Sequence, residues 1–277
     1  MNKEKILTIS IIIISILLLI LNFWFFPKKS TKKFTLKDEI PVAYKNQNPY
    51  LKPKEKQEKQ EKIPSVISDK TIYLTFDDGP THLTNQILDI LSKENVVATF
   101  FVIGNHFEEY KNVVKKAHND GHTIAIHSNT HNYGEIYSSD ENYFTDLKTI
   151  NDKIYSVTGH HSHIVRLPGG SSNTVSKKYN QGIVTRITNQ LNKDNYYYFD
   201  WNVDSGDASG SLSKDQIYQN TTRYLHDGTN IVLMHDAANK KTTVEALSDI
   251  IKYAKDNGYT FAKITKNTVP IRHSVNN

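Results

Sequence analysis

Residues 71–80 read Thr71-Ile72-Tyr73-Leu74-Thr75-Phe76-Asp77-Asp78-Gly79-Pro80, an apolar run of strand character that ends in two adjacent carboxylates. Neighbouring acids repel, so a fold does not keep them side by side at a strand end for stability alone. A metal ion resolves the conflict: one carboxylate can bind it while the other stays free as a base for the water that the ion activates. Moving outward from this stretch, the same pattern recurs, with a short apolar run and then a polar group at its C-terminal end.

Strands are expected at Ile72–Phe76, Ala98–Ile103, Thr123–Ile126, His163–Val165, Tyr196–Phe199, Ile231–Met234 and Thr260–Ala262. Helical patterns lie between them, near Leu83–Ser92, Tyr110–Asp120, Glu141–Thr158, Ser176–Leu191, Lys214–Leu225 and Thr243–Asn257. This alternation predicts a parallel α/β domain over residues 70–266, a distorted (β/α) barrel. In a parallel barrel every strand's C-terminal end opens onto one face, where catalytic groups collect.

Four further groups follow strands in this way. His127-Ser128-Asn129-Thr130-His131 places two imidazoles at i and i+4, which on a helical turn would face the same way and suit one metal ion. In a chain with 12 His such a pair is weak by itself. With Asp78, however, it makes a three-ligand set with an open position, the arrangement of a catalytic zinc. Arg166-Leu167-Pro168-Gly169-Gly170 offers a fixed planar cation suited to holding a carboxylate, and glycines that let backbone approach a ligand. Taken alone it also reads as a turn with a surface arginine. Asp200-Trp201-Asn202-Val203-Asp204 alone reads as a turn residue beside a core tryptophan. Leu233-Met234-His235-Asp236 alone reads as a hydrogen-bonded histidine at a strand end. The joint pattern decides, because chance would scatter five polar groups rather than set each at a strand terminus.

The ordered stretches TFDDGP, HSNTH, RLPGG, DWNVD and LMH, spanning Thr75 to His235, resemble the motifs of the polysaccharide deacetylase family, the NodB-homology or carbohydrate esterase family 4 enzymes. PGGSSNTVSKKY and YYYFDWNVDSGDA are similar in texture to the family's membrane-anchored peptidoglycan N-acetylglucosamine deacetylases. The resemblance implies a NodB-type barrel, with Asp77 as catalytic base and Asp78, His127 and His131 as metal ligands. It implies that Arg166 orients Asp77 and that the Gly169 N–H helps hold the oxyanion. His235 would be the general acid, tuned by Asp200. Pro168, Gly169, Gly170, Trp201 and Leu233 would line the substrate side. Zn²⁺ is the expected metal, with Co²⁺, Ni²⁺ and Mn²⁺ accepted by the same ligands. Many relatives carry proline, proline and an aromatic after the arginine, whereas here Leu167 and Gly169 replace the first proline and the aromatic. The activity implied is hydrolysis of N-acetyl groups on N-acetylglucosamine in peptidoglycan, with lysozyme resistance as its consequence. Two other readings stay open: a deacetylase of another acetylated glycan, and a non-catalytic glycan-binding module. Against the second, no ligand and no base is missing. A serine hydrolase of the elbow type is disfavoured because no G-x-S-x-G stretch occurs.

The 277 residues include no cysteine, which excludes disulfides, thiolate metal sites and a cysteine nucleophile. The net charge of +5 is uneven: residues 1–69 hold 13 Lys against 7 acidic residues, and residues 70–277 hold 21 Lys or Arg against 22 acidic. The basic balance therefore belongs to the N-terminal part, and the folded domain is not expected to bind nucleic acid. Residues 6–26 are free of charge and long enough to span a bilayer, and no small-residue cleavage site follows them. The expected plan is a cytoplasmic segment at 1–5, a single-pass anchor at 6–26 and a polar linker at 27–69. The catalytic domain at 70–266 and a tail at 267–277 then face the cell wall. The lysines that follow the span argue for the opposite orientation.

Overall fold

A computed structural model describes residues 70–277. The anchor and linker expected over residues 1–69 lie outside the described residues. Among the described residues no helix is long and apolar enough to cross a membrane.

The core is a parallel sheet built around β1 (Lys70–Asp77). On one side follow β2 (Thr99–Ile103), β3 (Thr123–Ser128), β4 (Ile164–Val165) and β5 (Tyr197–Tyr198). On the other lie β7 (Gly228–His235) and then β6 (Val203–Asp204), giving the order β5-β4-β3-β2-β1-β7-β6. The short β8 (Thr260–Phe261) pairs with Thr71 and Ile72 at the start of β1. The sheet curls into a half-barrel whose two edge strands are consecutive in sequence: β5 pairs with β4, β6 pairs with β7, and only Phe199–Asn202 separates them. The run from Tyr197 to Asp204 thus crosses the open side and changes partners on the way. The expected barrel is present in this open form, and the two-residue β6 was not anticipated.

Strand alternation sorts the side chains into two layers. Ile72, Leu74 and Phe76 of β1, with Phe100 and Val102 of β2 and Ile124 and Ile126 of β3, pack outward under the helices. The helices answer with apolar stripes at i, i+3 and i+4, such as Ile183, Val184, Ile187 and Leu191 of one and Val244, Leu247, Ile251 and Ala254 of another. The residues between face the inside of the curl. Phe101, Ala125, Ile164, Phe199 and Ile231 form a second, smaller cluster there. Phe101 is fully buried, so its truncation to Ala would cost about 3–5 kcal/mol. By the same parity Thr75 and Asp77 of β1, His127 of β3, and Leu233 and His235 of β7 point inward. Register completes the arrangement, because Asp77 pairs directly with His235.

The helices are α1 (Thr84–Lys93), α2 (Phe107–Asn119), α3 (Tyr133–Ile136), α4 (Asp140–Thr158), α5 (Ile183–Lys193), α6 (Lys214–Thr222) and α7 (Lys241–Asp256). Two expectations need correction. The helix expected over Ser176–Leu191 is a 3₁₀ turn at Val175–Lys178 and then α5, separated at Gly182, whose φ of 76° interrupts any continuous helix. The HSNTH stretch is not helical: His127 is still in β3, and His131 lies in a loop at φ 52°. Residues 267–277 pack onto the domain. Asp200 N–H donates to the Ile271 carbonyl at 2.8 Å, and Asn277 joins Gly182 N–H at 2.6 Å and Ser176 Oγ at 2.7 Å.

Candidate metal centre and acid–base site

Asp77, the last residue of β1, is buried, and its Oδ1 accepts from Arg166 Nη1 at 2.9 Å. Arg166 is fully buried, which would be costly for an unpaired cation. Every arm of the guanidinium is used. Nη1 also donates to Thr75 Oγ1 at 2.7 Å, Nε to the Phe199 carbonyl at 3.1 Å and Nη2 to the Asp200 carbonyl at 3.0 Å. The plane lies over the Phe101 ring at 4.2 Å. Arg166 is therefore no surface residue of a turn. It fixes one oxygen of Asp77 and leaves the other 3.9 Å from His127 Nε2.

Asp78 turns away from the strand at φ 72° and aims elsewhere than Asp77. Its Oδ1 is buried without a hydrogen-bond partner among the described residues. That oxygen lies 3.5 Å from His127 Nε2 and 3.4 Å from His131 Nε2. One ligand atom from each of the three residues lies within 4.8 Å of the others. A buried orphan carboxylate oxygen facing two imidazole nitrogens fits a divalent cation and has no other evident use. The second nitrogen of His127, Nδ1, donates to the Arg166 carbonyl at 2.8 Å, so Nε2 carries the lone pair toward the set. Burial and the neighbouring His127 lower the His131 pKa, which keeps that ring neutral and able to ligate.

Two backbone residues at positive φ build this set, and each is held by its surroundings. Behind Asp78, the Asp236 carboxylate accepts from Thr84 Oγ1 at 2.6 Å and Thr81 Oγ1 at 3.2 Å. A Cβ at Gly79 would come within 2.3 Å of Asp236 Oδ2, so only glycine fits that turn. The loop carrying His131 is gathered by Asp146 of α4. Its carboxylate accepts from Ser128 Oγ at 2.8 Å, Asn129 N–H at 2.7 Å and Thr130 N–H at 2.8 Å.

Across the mouth, His235 ends β7. Its Nδ1 donates to Asp207 Oδ1 at 2.7 Å, and the other oxygen of Asp207 accepts from His235 N–H and Thr243 Oγ1, both at 2.8 Å. Burial opposes charge on this imidazole, but the hydrogen bond and charge of Asp207 outweigh it and raise the His235 pKa to about 9. The carboxylate that serves His235 is therefore Asp207 and not Asp200, a correction to the sequence reading. The Asp200 carboxylate is fully buried elsewhere: it accepts from Ser171 N–H and His273 N–H, each at 2.8 Å, and from Ser171 Oγ. It ties the Pro168–Ser171 loop to the C-terminal tail. The signal for Asp207 was present in DWNVDSGDA, which offers three aspartates, and only the partner change of the β5–β6 run selects among them.

The remaining expected residues surround this centre. Gly169 and Gly170 both sit at φ 77°. Gly170 lies against the Trp201 ring, where a Cβ would meet ring carbon at 2.9 Å. The Pro168 carbonyl accepts from Tyr137 Oη at 2.7 Å. Among the described residues the Gly169 N–H has no partner, as a donor reserved for a ligand would. Leu233 is buried on the inner face, two residues before His235. Tyr133, which the motifs did not single out, stands beside His131 with ring centroids 5.6 Å apart.

The chain resembles known proteins in sequence and in structure. Residues 66–184 match the model of the family described as polysaccharide deacetylase. The YheN protein of Bacillus subtilis (strain 168), which carries the same family name, is 32% identical over 276 residues, 95% of this chain and 92% of that protein. A peptidoglycan-N-acetylglucosamine deacetylase of Bacillus cereus (strain ATCC 14579) is 29% identical over 266 residues, 93% of this chain and 91% of that protein. The crystal structure of the catalytic domain of a peptidoglycan N-acetylglucosamine deacetylase from Eubacterium rectale ATCC 33656 superposes with a TM-score of 0.73 at 44% identity. That match covers 75% of this chain and 94% of the other.

Proposed function

Since the chain belongs to the polysaccharide deacetylase family, we propose that it hydrolyses the N-acetyl group of N-acetylglucosamine residues in peptidoglycan, with a divalent metal ion, Zn²⁺ first, held by Asp78, His127 and His131. The observation that carries the metal reading is the buried Asp78 Oδ1 with no partner but two imidazole nitrogens. A divalent cation at this set supplies Lewis-acid polarisation of the acetyl carbonyl and a water of lowered pKa.

The residues divide the remaining work. Arg166 fixes one oxygen of Asp77 and so orients the carboxylate, whose second oxygen takes the proton of the attacking water. The Gly169 N–H donates to the oxygen that becomes negative in the tetrahedral adduct. The N–C bond breaks only if the amine leaves protonated. His235, charged through its bond to Asp207, delivers that proton from Nε2. Acetate departs, and a glucosamine residue stays in the polymer.

Three features of the cell biology belong to the same reading. Residues 6–26 anchor the chain in the membrane, the catalytic domain faces the wall, and the glycan amines it creates protect the wall against lysozyme. Each exposed amine is largely protonated at neutral pH. A muramidase that recognises the acetamide then leaves polar groups unpaired, at about 1–3 kcal/mol each.

The test is mass spectrometry of products from purified peptidoglycan, with and without chelator. Loss of 42 mass units (roughly one acetyl replaced by hydrogen, as amide hydrolysis requires) is expected on N-acetylglucosamine, abolished by chelation and restored by added metal. Deacetylation of muramic acid or of another polymer instead would redirect the substrate. Full activity in protein shown metal-free by elemental analysis would end the metal reading. In cells, a deletion strain should recover wall amines and lysozyme resistance with the wild-type chain and not with His235→Ala.

A further inference from the structure

Position 169 is a glycine, and the space beside its Cα is taken by Tyr133. A Cβ built on Gly169 would lie 2.5 Å from the Tyr133 hydroxyl oxygen and 3.4 Å from its ring. The tyrosine therefore reaches over the glycine loop from the opposite wall, the one that carries the metal set. Its ring is held on two sides, edge-on to His131 at 5.6 Å and to Tyr137 at 5.5 Å between centroids. Tyr137 is itself fixed by its bond to the Pro168 carbonyl at 2.7 Å. Tyr133 thus belongs to a rigid aromatic row, with its hydroxyl delivered to a defined spot.

That hydroxyl has no hydrogen-bond partner among the described residues, and it is not among the fully buried orphan atoms. It faces the mouth, beside the Gly169 N–H, which is also without a partner. Two fixed donors stand together at a mouth otherwise lined by carboxylates and imidazoles. A neutral ligand rich in acceptor oxygens and with apolar C–H faces matches them, and a sugar has both. An aromatic ring with a polar tip suits such a ligand, because the ring offers contact area at little entropic cost and the tip a hydrogen bond.

We propose that Tyr133 is a substrate-binding residue: its O–H donates to an oxygen of the N-acetylhexosamine unit being processed, and its ring forms the wall that a side chain at position 169 would otherwise supply. This rests on the deacetylase reading above. It makes Tyr133 the donor that sets affinity for the sugar and gives it no part in moving protons.

The test uses the full chain, metal-loaded, with Tyr133→Phe, which removes one oxygen and keeps the ring. Binding of an N-acetylglucosamine tetramer is measured by calorimetry in an Asp77→Asn background, and KM and kcat are measured in the active background. Tyr133→Phe should weaken tetramer binding and raise KM by about 5- to 20-fold, the size of one hydrogen bond lost at a ligand, with kcat within about twofold. Tyr133→Ala should weaken binding further. Metal content and melting temperature should stay at the wild-type values in Tyr133→Phe. Unchanged binding and KM would overturn the proposal. So would an effect confined to kcat, which would place the hydroxyl on the reacting group, or a loss of metal, which would make it a structural support of His131. If the Asp77→Asn chain binds the tetramer but the wild type releases no acetate, the deacetylase reading fails while the binding comparison still judges Tyr133. A chain that does not bind the tetramer at all overturns both.

Discussion

Two buried aspartates seven positions apart, Asp200 and Asp207, do opposite kinds of work on the two sides of one mouth. Asp200 is surrounded by donors that belong to the scaffold: Ser171, His273 and, through its backbone carbonyl, Arg166. The donors to its carboxylate, Ser171 and His273, belong to the glycine loop and the C-terminal tail, so its charge serves to tie one to the other. Asp207 gives one oxygen to an imidazole that faces the cleft and the other to the backbone and Thr243 that hold it in place. The first carboxylate is spent on architecture, and the second sets the protonation of a neighbour. The difference teaches that burial and full hydrogen bonding do not identify a functional carboxylate. What distinguishes it is whether one of its partners can still exchange a proton with a ligand.

The comparison can be broken by experiment, starting from the group both sides serve. Asp77→Asn should lower kcat by about 10³-fold or more while metal content by elemental analysis stays near one per chain, because its oxygens are committed to Arg166 and to the cleft. Equal loss of metal in Asp77→Asn and Asp78→Asn would erase the division between base and ligand.

Next in size is Asp207→Asn, expected to cost about 10²-fold in kcat. It should also move the alkaline limb of the pH–rate profile. With Asp207 present, His235 stays protonated up to about pH 9, and activity declines as pH rises through that value. Without the carboxylate, burial lowers the pKa against the smaller pull of Asp77 and Asp78, and the limb should move toward neutrality. Stability follows the same sign. A histidine raised in the folded state stabilises fully below its ordinary pKa of about 6.5 and loses that contribution as pH passes about 9. Denaturant titrations of the wild type and Asp207→Asn should therefore differ most in acid and converge in alkali.

Asp200→Asn should act in the other currency. It should lower stability by about 1–3 kcal/mol, seen in the urea midpoint, and leave the alkaline limb where it was. Smallest of the four, His273→Ala removes side-chain contacts to the Trp201 carbonyl at 2.6 Å and Ser172 Oγ at 3.2 Å. Its backbone N–H to Asp200 remains, so about 1 kcal/mol is expected. A shift of the pH profile in either variant would show that Asp200 and the tail reach His235 after all.

How much of this was legible in the chain depends on what each residue needed. The strands were legible because β1, β3 and β7 carry short apolar runs that end in polar groups and β2 is apolar over Phe100–Ile103, a pattern local to each run. Asp78, His127 and His131 were legible as a set because their chemistry leaves few other uses. Their backbone was not: His131 at φ 52° depends on Asp146, 15 residues away on α4, which no local spacing reveals. The choice between Asp200 and Asp207 was hidden for a similar reason. It depends on where the extended run leaves β4 and joins β7, and on the turn at Gly206, φ 75°, that brings Asp207 back to the end of β7. Tyr133 escaped notice because its position matters only across the gap over Gly169, a contact between the start of α3 and the glycine loop, 36 residues apart in the chain. Long-range partner choice, rather than propensity, is what the sequence withholds in each case.

The division of labour between the two aspartates is tested most directly by following the His235 ring by ¹⁵N NMR in metal-free protein from about pH 4 to about pH 11, a window that brackets both the usual histidine range and a value near 9, in wild type, Asp207→Asn and Asp200→Asn. The account predicts that His235 titrates near 9 in the wild type and in Asp200→Asn, and falls clearly toward its ordinary value in Asp207→Asn. A His235 that titrates unchanged in Asp207→Asn, or that drops in Asp200→Asn, would contradict it.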